Sequence, residues 1–269
     1  MDFIDSHAHL TDPAFDKDRE DLLTRVLPKA HLVKSVEIGC APNEWEPTLA
    51  LAKKYPQLVV PVLGVHPEYA AQFTPDQQPV YAQLLAQETV AAVGEVGLDY
   101  TCLDVSCKEE QQALFSQMIK QADTARLPLV LHVRREGEDY SVYDDTFARL
   151  TSEWKQMVSR PYSGVLHCFC ARYEEAKRAV DKGLLLGING CFTYKKNEYI
   201  REAVKKIGAQ HIILETDCPY LSPQGKRGMR NDPSNVPLIA QFAADYLQMS
   251  LEELAQLAFI HTKQLYGLD

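Results

Sequence analysis

Eight short apolar runs, separated by longer segments with helical periodicity, constrain the fold of this chain more than any other feature. The runs begin near residues 3, 35, 58, 90, 128, 163, 184 and 212. Intervening segments such as 108–126 and 174–181 carry apolar residues at three- and four-residue steps, which is typical of amphipathic helices. Such alternation predicts an α/β protein with a parallel sheet.

Eight strand–helix units in 269 residues predict a TIM-type (β/α)8 barrel that forms one domain over 1–269. A doubly wound open sheet is the main alternative, but no Gly-x-Gly-x-x-Gly turn follows the first run. Beyond the eighth unit, 233–269 predicts a helix pair and thus an extra C-terminal helix. Ser250 and Glu253 are a candidate capping box for the last helix.

Charge and hydropathy narrow the classes of function. A net charge of −9 argues against a broad cationic surface for nucleic acid, but it leaves open a local phosphate site made of metal ions and a few cations. The longest apolar stretch, 58–65, is too short to span a bilayer, and the N-terminus has no basic-then-apolar signal segment. We therefore expect a cytoplasmic protein with no membrane contact and no obligate protein partner.

The seven cysteines do not resemble a disulfide framework, because their number is odd and they are scattered along the chain. Cys168 and Cys170 form a Cys-x-Cys motif, but no second pair lies at zinc-ribbon spacing. We interpret the cysteines as buried, reduced thiols that act as small apolar side chains. Reduced thiols agree with a cytosolic compartment.

Two histidines two residues apart stand in the first run, D-S-H-A-H-L. Side chains alternate along a strand, so His7 and His9 point to the same face and can hold a single cation. Asp5 could orient one of the two rings. Two exposed histidines on an edge strand are the alternative.

Further ionisable residues stand late in other apolar runs, where the carboxyl ends of barrel strands assemble active sites. They are His66, Glu95, His132, His167 and Asp217. Each alone has a structural explanation, such as a satisfied core histidine, a bulge or a helix cap. Burying all of them without partners would cost several kcal/mol of free energy for each group. We therefore predict a metal site.

The donor count suits two divalent cations. His7, His9 and Asp217 with Glu95 make one site, and His132 and His167 with the other oxygen of Glu95 make a second. A bridging glutamate would hold the ions about 3.5–4 Å apart. Each ion would keep an open position, as catalytic sites do.

These motifs resemble the TatD family of metal-dependent hydrolases in the amidohydrolase superfamily. The matching stretches are 5–10 (D-S-H-A-H-L), 64–67 (G-V-H-P), 93–100 (V-G-E-V-G-L-D-Y), 127–134 (L-P-L-V-L-H-V-R), 167–169 (H-C-F), 214–221 (L-E-T-D-C-P-Y-L) and 230–237 (R-N-D-P-S-N-V-P). The resemblance implies a (β/α)8 barrel, a divalent-metal requirement and phosphodiesterase activity on DNA, often as a 3′-to-5′ exonuclease. It assigns His7, His9, Glu95, His132, His167 and Asp217 as metal ligands and places His66 near the substrate.

Three departures from the family pattern bear on the substrate rather than on the ligands. Pro67-Glu68-Tyr69 follows His66, where a further histidine is frequent. Cys170-Ala171 stands where Ser-Gly is common, and Glu136 replaces a small residue.

The leading hypothesis is hydrolysis of a phosphodiester by a metal-activated water, with Glu95 and Asp217 as catalytic carboxylates. Asp217 would orient the nucleophile or accept its proton. Candidate cations for the phosphate, each equally explained as a solvated loop charge, are His66, Arg134, Lys195, Lys196, Lys226, Arg227 and Arg230. Candidate stacking residues, each equally explained by packing, are Tyr100, Tyr194 and Tyr220.

Two alternatives stay open at this point. The same donor set could hydrolyse an ester, lactone or amide, including an aminoacyl-tRNA ester, or the chain could be a metal-binding protein without catalysis. Histidine-rich ligation suits Zn²⁺, Mn²⁺ or Ni²⁺, whereas the family nucleases are associated with Mg²⁺. The expected partner is DNA, preferably single-stranded or with frayed ends.

Overall fold

The eight apolar runs form one parallel sheet in which neighbours in sequence are neighbours in space. The computed structural model describes residues 1–269. Its strands are β1 Phe3–Ala8, β2 Leu32–Gly39, β3 Val59–Leu63, β4 Val93–Asp99, β5 Leu129–Arg134, β6 Gly164–Leu166, β7 Leu184–Ile188 and β8 Ile212–Leu214. Every predicted strand is present.

The sheet closes into a barrel where β1 meets the segment after β8. The His9 N–H donates to the carbonyl of Cys218 at 2.8 Å, and the Asp217 N–H donates to the carbonyl of His7 at 2.9 Å. The first and last polar motifs of the sequence therefore lie side by side. The predicted (β/α)8 barrel is confirmed.

Helices connect successive strands and cover the outside of the barrel. They are α1 (19–29, with a π-helical turn at Leu22–Val26), α2 Trp45–Lys54, α3 Gln77–Leu85, α4 Lys108–Ala125, α5 Ser141–Glu153, α6 Tyr173–Val180, α7 Glu198–Ile207, α8 Val236–Leu247 and α9 Leu251–Tyr266. A 3-10 segment, Pro67–Gln72, precedes α3. In α4, buried residues recur at the predicted three- and four-residue steps.

The predicted C-terminal helix pair is α8 and α9. Ser250 caps α9 as predicted: its hydroxyl accepts from the Glu253 N–H at 3.1 Å, and the Glu253 carboxylate accepts from the Ser250 N–H at 3.0 Å. No helix combines the length and apolar character that a bilayer crossing requires.

A small apolar cluster inside the barrel supports the polar residues above it. It includes Val130 and Val165, and strand alternation places these on the same face as His132 and His167, two residues further on. Tyr266 at the end of α9 also belongs to the cluster, and its hydroxyl donates to the Ser6 carbonyl at 3.0 Å. His132 and His167 therefore lie next to a packed apolar layer inside the barrel.

Candidate metal centre

Glu95 lies at the centre of the polar cluster, and its two carboxylate oxygens face different pairs of histidines. Oε1 lies 2.5 Å from His132 Nδ1 and 2.9 Å from His167 Nε2. Oε2 lies 3.4 Å from His7 Nε2 and 3.9 Å from His9 Nε2. A single buried carboxylate thus connects the end of β1 with β5 and β6.

Asp217 completes the half of the cluster that contains His7 and His9. Its Oδ1 lies 3.4 Å from His9 Nε2 and 3.8 Å from His7 Nε2. The backbone of Asp217 is left-handed, with φ of 56°, a conformation that aspartate adopts more readily than most residues. The structure therefore brings all six residues that the sequence analysis named as ligands into one cluster.

The donor set fits a metal ion. His7, His9 and Glu95 place ligand atoms within 4.8 Å of one another, and so do Glu95, His132 and His167. The 3.4 Å separation of His7 Nε2 from Glu95 Oε2 equals the edge, about 3.4 Å, of a tetrahedron with bonds of about 2.1 Å. His7 is fully buried, and neither of its ring nitrogens has a hydrogen-bond partner. Such a group costs free energy in the protein interior unless a ligand satisfies it.

Outer polar groups orient the rings. The carbonyl of Ile38 lies 3.3 Å from His9 Nδ1 and accepts its proton, which leaves Nε2 of His9 directed at Asp217. On the far side of the His132 ring from Glu95, Nε2 pairs with Asp99 Oδ2 at 2.9 Å. These contacts fix both the tautomer and the direction of each ring.

Asp99 and Glu215 are functional candidates that the sequence analysis missed. Glu215 Oε1 lies 3.3 Å from His167 Nδ1 and accepts a hydrogen bond from the Cys168 N–H at 2.7 Å. Strand alternation was the available signal, since Glu215 stands two residues before Asp217 in the same apolar run. A carboxylate in an apolar strand, like an imidazole, needs a partner there.

The expectation that Asp5 orients an imidazole is wrong. Its carboxylate accepts from the Thr216 N–H at 2.9 Å, the Thr216 hydroxyl at 2.5 Å and the main-chain N–H of His7 at 3.3 Å. The pairing of β1 with β2 shifts register between Asp5 and Ala8, the segment that contains His7. Asp5 therefore links β1 to the segment that follows β8. Burial raises the pKa of Asp5 to about 8.

Burial and neighbouring charges shift the pKa values of His132 and His66 in opposite directions. Burial lowers the pKa of His132, but the carboxylates of Glu95 and Asp99 outweigh burial and raise it to about 9. Burial and the neighbouring His132 together lower the pKa of His66 to about 3. His66 is therefore neutral at pH 7, although the sequence analysis counts it among the candidate cations.

The three predicted substrate contacts have different surroundings. The His66 ring lies 4.3 Å from the His132 ring, centroid to centroid, so His66 borders the cluster. Arg134 ends β5 with an exposed side chain. Arg230 is engaged elsewhere: its guanidinium binds both carboxylate oxygens of Asp18 at 2.6 and 2.7 Å. Its Nη1 and Nη2 atoms are therefore engaged by Asp18, although the ion pair does not use the Nε–H of Arg230.

Two of the other four candidate loop cations are engaged, whereas Lys195 and Lys196 are exposed. Lys226 donates to Asn235 at 2.6 Å, and the Arg227 guanidinium lies 4.8 Å from the centre of the Tyr194 ring. Tyr194 and Tyr100 are buried, which favours packing over base stacking. Tyr220 differs, because it is 55% exposed and its ring centre lies 6.2 Å from that of His9.

The prediction of buried thiols is confirmed in full for Cys218 alone. Five other cysteines are half-buried, and Cys107 is exposed. Cys170 and Cys40 nevertheless pack against the apolar clusters of the core, as small apolar side chains do. All seven are free, in agreement with the absence of a disulfide framework.

Comparison with known proteins places these features in a family. The family model described as TatD related DNase matches residues 4–267. The uncharacterized metal-dependent hydrolase YabD of Bacillus subtilis is 30% identical over 267 residues, 99% of each chain. The 3′-5′ ssDNA/RNA exonuclease TatD of Escherichia fergusonii is 30% identical over 271 residues, again 99% of each. The crystal structure of YJJV, a TatD homolog from Escherichia coli K12, superposes with a TM-score of 0.88 at 28% identity, covering 99% of this chain and 98% of the other.

Proposed function

The chain belongs to the TatD-related DNase family, and from that premise we propose that it hydrolyses phosphodiester bonds of single-stranded DNA from the 3′ end. Family membership makes it a metal-dependent hydrolase. The bond, the polymer and the direction are our proposal. Its main support is the position of Glu95, whose two oxygens each face a separate pair of imidazoles.

The proposal includes two divalent cations, Mg²⁺, Zn²⁺ or Mn²⁺. His7, His9 and Asp217 would hold one, His132 and His167 the other, and Glu95 would contact both. When bound, such ions lower the pKa of water toward neutrality and polarise a phosphoryl oxygen. Unpaired buried nitrogens on His7 and the separations within the cluster support this assignment.

Asp217 is proposed as the group that handles the proton. Its side chain is 15% exposed, against 5% for that of Glu95, so Asp217 stands at the open side of the cluster. There its carboxylate can orient the attacking water and accept its proton. The pKa of Asp217 is lowered, because its hydrogen bond with His9 and the charges of the surrounding histidines outweigh the effect of burial. The carboxylate is therefore ionised and ready to accept at neutral pH.

Local groups at the open side suit a single strand better than a duplex. The exposed ring of Tyr220 beside His9 offers a face on which an unpaired base can stack. Neutral His66 can donate a hydrogen bond to a phosphate oxygen, and exposed Arg134 can supply charge. The Escherichia fergusonii relative is named an ssDNA/RNA exonuclease, which supports the same choice.

The proposal is tested by digestion of end-labelled single-stranded DNA with chelator-stripped protein. Mg²⁺, Mn²⁺ and Zn²⁺ are added back one at a time, and a matching RNA and a duplex run in parallel. We expect metal-dependent laddering from the 3′ end, faster on the single strand than on the duplex. Digestion from the 5′ end would contradict the proposed direction.

Two variants separate this activity from contaminating nucleases. Asp217→Asn is expected to remove the laddering, whereas Asp245→Asn, an exposed carboxylate on α8, is expected to leave it unchanged. A parallel panel compares bis(p-nitrophenyl) phosphate with lactones, esters and an aminoacyl ester. Background phosphodiesterase rates in metal-loaded protein, together with turnover of a carbonyl substrate, would transfer the assignment to ester, lactone or amide hydrolysis.

A further inference from the structure

Three thiols converge at the rim of the barrel beside the metal centre. Cys168 and Cys170 follow β6, and Cys191 lies just after β7. The three Sγ atoms lie within 4.8 Å of one another, and those of Cys168 and Cys170 are 4.0 Å apart. None of the three is in a disulfide, and each is partly exposed. The three thiols are therefore free to bind a ligand.

The sulfur separation is too long for a disulfide and is compatible with a metal site. Tetrahedral Zn²⁺ with Zn–S bonds of about 2.3 Å places neighbouring sulfurs about 3.8 Å apart. A disulfide requires about 2.05 Å between sulfurs, and it would use only two of the three thiols. At 4.0 Å, Cys168 and Cys170 are close to the metal-site value.

Buried polar side chains hold the two cysteine-bearing loops in place. The Glu215 carboxylate accepts from the Cys168 N–H at 2.7 Å, and the same oxygen accepts from the Asn189 side chain at 3.1 Å. The Asn189 carbonyl oxygen in turn accepts from the Cys191 N–H at 3.0 Å. Glu215 and Asn189 are 1% and 2% exposed. One buried hydrogen-bond network thus positions the main chain of Cys168 and of Cys191.

We propose that Cys168, Cys170 and Cys191 form a thiolate site for a soft d10 divalent cation, Zn²⁺, distinct from the histidine–carboxylate cluster. Thiolates prefer such ions over Mg²⁺ or Mn²⁺. Binding forms three metal–sulfur bonds and releases the thiol protons to solvent. Solvent takes the fourth position, because the chain offers three sulfurs. Zn²⁺ at this site would tie the loop after β6 to the loop after β7, next to His167.

Cd²⁺ tests the site, because its bonds to thiolates give an ultraviolet charge-transfer absorption that nitrogen and oxygen ligands do not give. The full chain is reduced, stripped with chelator and titrated with CdCl₂ under argon. We expect the absorption to rise and then saturate as the thiolate site fills, and a large excess of Zn²⁺ to bleach it. The triple variant Cys168→Ser/Cys170→Ser/Cys191→Ser should lack the absorption, and Cys107→Ser, which changes an exposed cysteine outside the cluster, should retain it.

A single variant covers the case in which the triple variant fails to fold. Cys170→Ser should keep about two-thirds of the absorption per bound Cd²⁺, because one of three thiolates is lost. No absorption in the parent chain, or an undiminished absorption in Cys170→Ser, would overturn the proposal.

Discussion

Asp99 pairs with His132 at 2.9 Å, on the opposite side of the ring from Glu95. A carboxylate in this position fixes the tautomer and the direction of a ligating imidazole. We expect Asp99→Asn to weaken metal binding about 10–100-fold, the usual effect of losing such a partner.

A titration of chelator-stripped protein with Mn²⁺ measures this affinity, and the midpoint of denaturant unfolding in the absence of metal serves as the control. Weaker binding at an unchanged midpoint identifies a positioning role. Weaker Mn²⁺ binding accompanied by a lower unfolding midpoint would instead show that Asp99 is a structural residue.

Most of the metal centre could be predicted from the polar residues at the ends of the apolar runs. An apolar run excludes water, so His132 or Glu95 at its end already signals a polar partner nearby, and the order of the barrel strands follows from the chain order. Partners between distant segments left no such signal. The bond between Asp5 and Thr216 joins residues 211 positions apart, and only the closed barrel brings them together.

Exposure and surface pairing were also beyond the sequence. Cys168 and Cys170 look like core thiols in an apolar run, yet β6 ends at Leu166 and leaves them in a rim loop. Arg230 looks like a free cation in a loop, because its partner Asp18 lies 212 positions away. These outcomes depend on how loops from separate strand–helix units meet.

Glu95→Gln should abolish binding of both ions, because one carboxylate faces both pairs of imidazoles. Asp217→Asn should reduce binding by one ion, because Asp217 contacts only the pair His7 and His9. Inductively coupled plasma mass spectrometry after dialysis against Mn²⁺ gives the metal content per chain. Asp245→Asn is the matched control. Equal metal content in Glu95→Gln and the parent chain would exclude a bridging role for Glu95.

Arg230 and Asp18 are expected to contribute to stability rather than to substrate binding. The side chains are 32% and 45% exposed, so a double-mutant cycle with Arg230→Gln and Asp18→Asn should give a coupling of about 0.2–1 kcal/mol. The hydrogen bond from Arg230 lowers the pKa of Asp18 below its ordinary 3.8. The coupling should therefore persist above pH 3.8 and disappear as the pH falls through the folded-state pKa. A higher KM for oligonucleotide in Arg230→Gln, with stability unchanged, would instead restore Arg230 as a substrate contact.

Gly97 permits the close approach of β4 to the His132 main chain. Its φ is +144°, and a Cβ at this position would overlap the carbonyl oxygen of His132. We expect Gly97→Ala to destabilise the fold by about 1–3 kcal/mol and to displace His132. Gly137→Ala is the matched control, since Gly137 also has a positive φ, +53°, but no atom lies within 4 Å of the added carbon. Similar losses in urea unfolding for the two variants would show that backbone conformation, rather than the contact with β5, accounts for the effect.

Metal removal should lower thermal stability, because His7 is fully buried with two unpaired ring nitrogens that only the folded chain presents together with Glu95 and Asp217. A ligand that binds only the folded state stabilises it by about 2.7 kcal/mol at a hundredfold excess over its Kd. For a chain of this size that corresponds to about 5–10 °C in Tm. Differential scanning calorimetry of chelator-stripped protein, before and after addition of Mn²⁺, measures the shift, and excess chelator should reverse it. The same addition should leave the Tm of Glu95→Gln unchanged. A shift of equal size in Glu95→Gln would place the stabilising ion outside this cluster.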